Sequence, residues 1–333
     1  MKLAQLFSVY PHFKFGNSIA AEVSGLCIDS RKIQAGEIFI AIRGHAHNSH
    51  ENLKEVCQKN PVGVVVEDEK NIPQDYIGAV LVVPDTHQAL VKLAAKFYGN
   101  PFENVSCVGV TGTNGKTSTT YMIESILTEF GLKTGVLGTI NHHIGDQIWE
   151  SHLTTPDAIT LQKRMRDFVA LDAKSVVFEV SSHAIDQGRV LGVPFDCVVF
   201  TNLTRDHLDY HMTMKEYFDV KEKLFKEIPS QYKNKSITAV INVDDPYGKK
   251  IEVASNVQRW TYGESAQTSK SAQTSKSAQP KDATQTNEAD LNFKFKILET
   301  TYTSTRFHLK SIRGEGEICL PLLGRHNVYN AVA

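Results

Sequence analysis

The chain has 333 residues, enough for two domains of ordinary size. With 41% apolar and 22% charged residues, its composition excludes a disordered or fibrous chain and fits a globular one with a real core. A formal net charge of -1 gives no overall pull toward nucleic acid or membrane, so neither is expected as a partner.

The first residues lack the long apolar stretch and small-residue cleavage site of a signal peptide. No apolar run approaches the roughly 18 residues of a membrane span. The five cysteines (Cys27, Cys57, Cys107, Cys197, Cys319) are scattered, with no CxxC pair. They read as small apolar core residues in a reducing compartment. The expectation is a cytoplasmic monomer.

Residues 1–100 read as a small α/β domain. Apolar runs at 37–42, 62–66 and 79–83 predict strands, with helical periodicity at 51–59 and 86–98. Gly99-Asn100-Pro101 breaks the pattern and marks a domain boundary. From about residue 105, strand candidates at 105–110, 133–138, 174–180, 195–201 and 236–243 alternate with helical stretches at 116–130, 157–171 and 214–227. Short, nearly continuous apolar strands between helices predict an α/β fold with a mostly parallel sheet covered by helices. Ligands of such sheets bind beyond the carboxyl ends of the strands. The segments there are Thr111-Gly112-Thr113-Asn114-Gly115, Ser181-Ser182-His183, Asn202-Leu203-Thr204-Arg205-Asp206-His207 and Asp244-Asp245. Chance would scatter these polar clusters; here they share one predicted edge. Residues 264–289 repeat Ser-Ala-Gln-Thr-Ser-Lys and lack the apolar content to pack, so they read as a surface insertion. Stretches 291–299 and 302–310 then alternate like paired strands, and a helix opens near Asn327.

The strongest motif is Gly109-Val110-Thr111-Gly112-Thr113-Asn114-Gly115-Lys116-Thr117, with a strand before it and a helix after. Glycines let backbone N–H groups close around phosphate oxygens, and the helix N-terminus adds partial positive charge. Lys116 would reach the β- and γ-phosphates, and the Thr117 hydroxyl would ligate Mg²⁺. The strict pattern asks for glycine where this chain has Val110.

That departure is informative. The loop resembles that of the Mur ligases, the amide-forming enzymes of peptidoglycan precursor synthesis, and taken alone it would also suit folylpolyglutamate synthase. Thr154-Thr155-Pro156-Asp157, Glu179-Val180-Ser181-Ser182-His183 with Gln187 and Arg189, and the stretch from Thr201 to His211 resemble one Mur branch. That branch adds a diamino acid to UDP-N-acetylmuramoyl-L-alanyl-D-glutamate. Asp29-Ser30-Arg31, Gly36-Glu37-Ile38-Phe39 and Gly44-His45 are similar to its UDP-binding domain.

The resemblance implies ATP as cosubstrate and Mg²⁺ as cofactor. Gly112, Thr113, Asn114, Gly115, Lys116, Thr117 and Ser118 would hold the phosphates, with Asn327 and Asn330 on the adenine side. Thr117 and Glu179 would hold Mg²⁺, and His207 a second ion. Lys221, which by position alone reads as a solvent-facing cation, matches a carbamylated lysine that becomes an oxygen ligand. Thr154, Thr155, Ser181, Gln187 and Arg189 would contact the muramoyl dipeptide; Arg189 is physically the strongest, because its fork suits a carboxylate or diphosphate. Ile28, Ser30, His45, Ala46 and His47 would contact UDP, although the family often has Gln-Ala after the first His. His12, His50, His142 and His143 read as surface or structural residues.

In this resemblance residues 1–100 bind the UDP substrate and 101–333 bind ATP. The family's third domain would follow the last residue, so nucleotide binding with little or no ligase activity is expected. Whether the diamino acid is meso-diaminopimelate or L-lysine stays open. So do a folylpolyglutamate synthase-like ligase, disfavoured by the 179–183 motif and the separate N-terminal domain, and a non-catalytic nucleotide-binding module. The intact Lys116, Thr117, Glu179, His207 and Lys221 argue against the module.

Overall fold

The computed structural model describes residues 1–10, 20–44, 47–265 and 291–333. The first elements are α1 (Leu3–Phe7), β1 (Gly25–Cys27), β2 (Glu37–Ile40), α2 (Leu53–Gln58), β3 (Gly63–Val66), β4 (Ala79–Val82) and α3 (Thr86–Phe97). Then come β5 (Ser106–Thr111), α4 (Lys116–Glu129), β6 (Thr134–Leu137), β7 (Asn141–Ile144), β8 (Gln147–Glu150), α5 (Ala158–Ala170) and β9 (Ser175–Glu179). Next are α6 (Ser182–Asp186), β10 (Cys197–Phe200), α7 (Leu208–His211), α8 (Met214–Glu222), α9 (Glu227–Ser230) and β11 (Ile237–Asn242). The last are β12 (Val257–Glu264), β13 (Phe293–Thr300), β14 (Thr305–Ser311), β15 (Gly314–Leu320) and α10 (Arg325–Val332).

The chain divides into two units. The first comprises Met1–Val105, Ser151–Lys174 and His183–Val193; the second comprises Ser106–Glu150, Ser175–Ser182 and Pro194–Ala333. The first unit therefore runs a little past the break at 99–101 and includes two later segments.

Its sheet is four parallel strands in the order β1-β2-β3-β4. Strand β3 is Gly-Val-Val-Val, buried along its whole length. One face packs Leu6, Phe7, Ile38, Ile40, Val65 and Leu81 against Leu90 and Leu93 of α3; the other packs Phe39, Val64 and Val66 against Leu53 and Val56 of α2. Asp85 starts α3 by accepting the His87 and Gln88 N–H groups at 2.8 and 3.1 Å, and Asp157 starts α5 in the same way on Ile159 and Thr160. The helix expected over 51–59 opens as a 3-10 turn at Ser49–Asn52.

The second unit holds an eleven-stranded sheet in the order β15-β14-β13-β12-β11-β10-β5-β9-β6-β7-β8. Seven strands from β13 to β6 are parallel, and each end carries antiparallel strands. The expected α/β class with a mostly parallel sheet and covering helices is what forms. Val110, Val177, Val199, Val240, Tyr262, Phe295 and Phe307 make one apolar face, closed by Ile123 and Leu127 of α4 and by Val328 and Val332 of α10. Strand β5 lies between β9 and β10, so connections leave it in both directions. That reversal opens a crevice at the strand ends.

The helix expected over 214–227 stops at Glu222; a turn carrying buried Leu224 and Phe225 precedes the short α9. Glu264, expected to begin the insertion, is the last residue of β12, and residues 266–289 of that stretch lie outside the described residues. Cys57 and Cys107 are buried and Cys27 and Cys197 half-buried, but Cys319 is exposed on β15 and does not behave as a core residue. Among the described residues, no helix is long and apolar enough to cross a membrane.

Candidate functional site

Strand β5 carries the chain to Thr111, and glycines turn it into α4. Val110, where the strict motif has glycine, is fully buried in the apolar face, which explains the departure: that position lies inside the strand. Gly115 has φ +88°. A Cβ there would lie 2.3 Å from Asn330 Oδ1, and a Cβ at Gly112 would lie 1.9 Å from the Thr201 hydroxyl. Both positions need glycine for space as well as for backbone freedom.

The loop is strapped to the segment after β10. The Thr113 N–H donates to the Asn202 carbonyl at 2.9 Å, and the Asn114 N–H to Asn202 Oδ1 at 3.0 Å. The Thr201 hydroxyl donates to the Asn114 carbonyl at 2.7 Å, and the Thr204 N–H to the Thr113 hydroxyl at 3.0 Å. These bonds hold a preformed cradle. Its floor is the first turn of α4, whose N–H groups have no intrahelical acceptor and favour an anion. Thr117 is half-buried in that turn and Ser118 exposed.

Two lysines converge on one carbonyl. Lys116 Nζ donates to the carbonyls of Gly112 and Thr113 at 3.0 and 2.9 Å. Lys221 Nζ donates to the same Gly112 carbonyl at 3.2 Å and to the Thr111 hydroxyl at 3.3 Å. Burial pushes the Lys116 pKa down while the Glu179 charge opposes it. Burial, and then the nearby Lys116 charge, push Lys221 well below the ordinary lysine value. Reading Lys221 as solvent-facing is therefore wrong. It is 2% exposed, because α8 turns Tyr217, Val220 and Lys221 inward together.

Tyr217, missed by sequence reasoning, ties this group together. Its hydroxyl is 3.2 Å from the Thr113 hydroxyl, its ring centroid is 4.8 Å from Lys221 Nζ, and the His207 ring meets it edge-on at 5.9 Å. His207 precedes α7 at φ +53° and is half-exposed, with Nε2 3.6 Å from Asp206 Oδ2. Glu179 ends β9 beside Val110 of β5 and is 1% exposed.

Among the described residues, no group of three His, Cys, Asp or Glu side chains forms a metal cage. The donor set is one buried carboxylate with nearby hydroxyls. That chemistry fits Mg²⁺, which keeps waters and takes much of its shell from phosphates.

A cavity of about 370 Å³ adjoins the loop, lined by Asn114, Gly115, Thr201, Asn202, Asn242, Asp244, Asp245, Pro246, Arg325, His326, Tyr329 and Asn330. It draws on three of the four polar strand-end segments, with α10 as its lid. Of the two expected asparagines, Asn330 lines it; Asn327 does not, and donates instead to the Leu323 carbonyl at 2.8 Å. Helix α10 is latched by the Tyr329 hydroxyl, which donates to Asp244 Oδ2 at 2.6 Å, and by Arg325 on Glu264 at 2.7 Å. Sequence reasoning missed these contacts, although Asp244-Asp245 lay on the predicted edge.

In the first unit, Ile28, Asp29, Ser30, Arg31, His47, Ser49, Asn52 and Glu55 line a cavity of about 680 Å³. Three expected UDP residues, Ile28, Ser30 and His47, meet there; His45 and Ala46 lie outside the described residues. Asn52 joins the other two polar ones, donating to Ser30 Oγ at 3.1 Å and lying 2.8 Å from His47 Nε2. The Arg31 guanidinium holds the Asp29 carboxyl down to about 2.

Also in that unit, Arg189 donates to the Thr155 carbonyl at 2.9 Å and to the Gln187 side-chain oxygen at 3.0 Å. Three expected dipeptide residues thus meet, with the Arg189 fork already engaged within the protein. Thr154 is half-buried beside them in sequence, and Ser181 belongs to the second unit. His50 is structural: it is buried, with Nδ1 2.9 Å from Asn48 Oδ1 and Nε2 accepting the Glu67 N–H at 3.1 Å. His143 joins Asn141 and Glu124 at 2.7 and 2.9 Å, and His142 is buried in β7. His12 lies outside the described residues.

A phosphate-loop motif at a strand-order reversal, with a buried carboxylate and two lysines around it, defines a P-loop protein of the α/β class. Residues 110–333 match the model of the Mur ligase middle domain. The chain belongs to the Mur ligase family. It is 44% identical over 266 residues to the UDP-N-acetylmuramoyl-L-alanyl-D-glutamate--2,6-diaminopimelate ligase of Geobacter metallireducens, covering 80% of this chain and 52% of the relative. It is 36% identical over 335 residues to the Listeria innocua enzyme of the same name, covering 100% of this chain and 62% of the relative. A solved structure of a ligase with that name is 25% identical, with a TM-score of 0.78 over 100% of this chain and 62% of that one. The chain thus spans between half and two thirds of the length of these relatives.

Proposed function

We propose that the chain serves ATP-dependent amide ligation, adding a diamino acid to UDP-N-acetylmuramoyl-L-alanyl-D-glutamate in peptidoglycan precursor synthesis. The observation that carries this reading is the convergence of Lys116 and Lys221 on the Gly112 carbonyl, inside a phosphate loop flanked by Glu179. The names of the curated relatives support diaminopimelate as the added amino acid.

In this reading residues 1–100 take the UDP moiety, with Ser30 and His47 in the first unit's cavity, and residues 101–333 take ATP. A carboxylate is a poor acyl donor, so the γ-phosphoryl group is first transferred to it, and the amine then displaces phosphate from the acyl phosphate. Such transfer is mainly positioning and charge neutralisation. Lys116 leaves its carbonyls for the β- and γ-phosphates, and the first turn of α4 cradles them. Mg²⁺ supplies charge neutralisation when bound, held by Thr117 and Glu179 and, for a second ion, by His207 and carbamylated Lys221. Burial disfavours the charged form of Lys221, and the uncharged amine is the form that reacts with carbon dioxide to give a carbamate. Thr154, Thr155, Gln187 and Arg189 of the first unit, and Ser181 by the resemblance, serve the dipeptide; of these, Thr155, Gln187 and Arg189 meet through the Arg189 contacts.

The test has two arms. UDP-N-acetylmuramoyl-L-alanyl-D-glutamate should bind the chain in a calorimetric titration; binding of a folate substrate in its place would overturn the reading. Incubation with ¹³C-bicarbonate should give one carbamate carbon signal that Lys221→Arg abolishes. Its absence in the native protein would remove Lys221 from the ligand set.

A further inference from the structure

We propose that Gly138 and Thr139 form a clamp that aims the Glu179 carboxylate at the metal, making Thr139 a positioning residue. The proposal rests on the reading of Glu179 as a Mg²⁺ ligand. Strand β6 runs parallel to β9 with Leu137 opposite Phe178, so the two residues after β6 arrive beside Glu179. There the Thr139 N–H donates to Glu179 Oε1 at 2.8 Å, and the Thr139 hydroxyl donates to Oε2 at 3.1 Å. These two bonds, one to each oxygen, fix the rotation of the carboxylate plane. Gly138 makes the approach possible, since a Cβ there would lie 2.4 Å from Oε1. Glu179 is itself buried while Thr139 is exposed. Removal of the hydroxyl therefore disturbs little packing and acts on the orientation of the carboxylate.

The readout is the ratio of ATP affinity in excess MgCl₂ to ATP affinity in EDTA, measured by calorimetry on the whole chain. Partners that orient a metal ligand are worth roughly tenfold or more in metal affinity. Thr139→Val should lower the ratio about tenfold at unchanged affinity in EDTA, and Thr139→Ser should stay within about twofold of the native ratio. Glu179→Gln should lower it at least as far as Thr139→Val. A native ratio in Thr139→Val alongside a collapsed ratio in Glu179→Gln overturns the clamp alone. A native ratio in Glu179→Gln overturns the metal reading and the clamp with it. Equal losses with and without magnesium in Thr139→Val would mark a merely structural residue and also overturn the proposal.

Discussion

Gly115→Ala tests the joint between the phosphate loop and α10. The backbone there has φ +88°, where an L side chain costs about 1–2 kcal/mol. The added methyl would also sit 2.3 Å from Oδ1 of Asn330, which is 7% exposed and held in α10, so relief requires α10 to shift. Overpacking of that kind costs about 1–3 kcal/mol. The sum is a loss of about 2–5 kcal/mol, read as a lowered urea midpoint, with ATP affinity falling at least about tenfold as the cavity wall moves. The two parts separate in a double-mutant cycle with Asn330→Ala. Removing the opposing side chain should restore about 1–3 kcal/mol, the overpacking part, and leave the backbone part in place. Gly115→Ala at native stability would refute the reasoning, as would a double mutant no better than the sum of its singles.

Other consequences follow from single contacts. Asp244→Ala strands the Tyr329 hydroxyl and the Glu264 N–H, and should cost about 1–3 kcal/mol in urea denaturation with weakened ATP binding. Tyr329→Phe removes the hydroxyl that donates to Asp244 and accepts from exposed Arg325 at 3.2 Å, and should cost about 1 kcal/mol; equal losses in the two variants would contradict the latch. His50 is neutral in the fold, because Nε2 accepts from Glu67 while burial lowers its pKa and the Glu67 charge opposes that. Its contribution is complete above about pH 6.5 and lost as pH falls toward the lower folded-state value. The urea midpoint of the native chain should thus drop between pH 7.5 and 5.5 more steeply than that of His50→Gln; parallel slopes would exclude His50 as the cause.

The parallel strands were legible because strands buried on both faces need continuous apolar runs, as at Val64-Val65-Val66 and Val176-Val177-Phe178. Strands β7 and β12 were not, since Asn-His-His-Ile and Val-Gln-Arg-Trp mix polar residues that pairing, rather than pattern, makes extended. The loop, Glu179 and the strand-end segments were readable locally. Lys221 was misread for want of one comparison: Tyr217, Val220, Lys221 and Leu224 share the helical spacing of a buried face, and that period was the available signal. The contributions of Asp244, Tyr329 and Asn52 depend on residues brought together across long stretches of chain, which spacing does not encode.

Calorimetric titration of ATP into the native chain and into Lys116→Ala, with and without MgCl₂, tests the nucleotide site most directly. One ATP per chain should bind, more tightly with magnesium. Loss of a charge-assisted contact worth about 1.5–3 kcal/mol should weaken binding about 10- to 100-fold in Lys116→Ala. No binding to the native chain, or equal binding to both proteins, would contradict a triphosphate site built on the 112–117 loop.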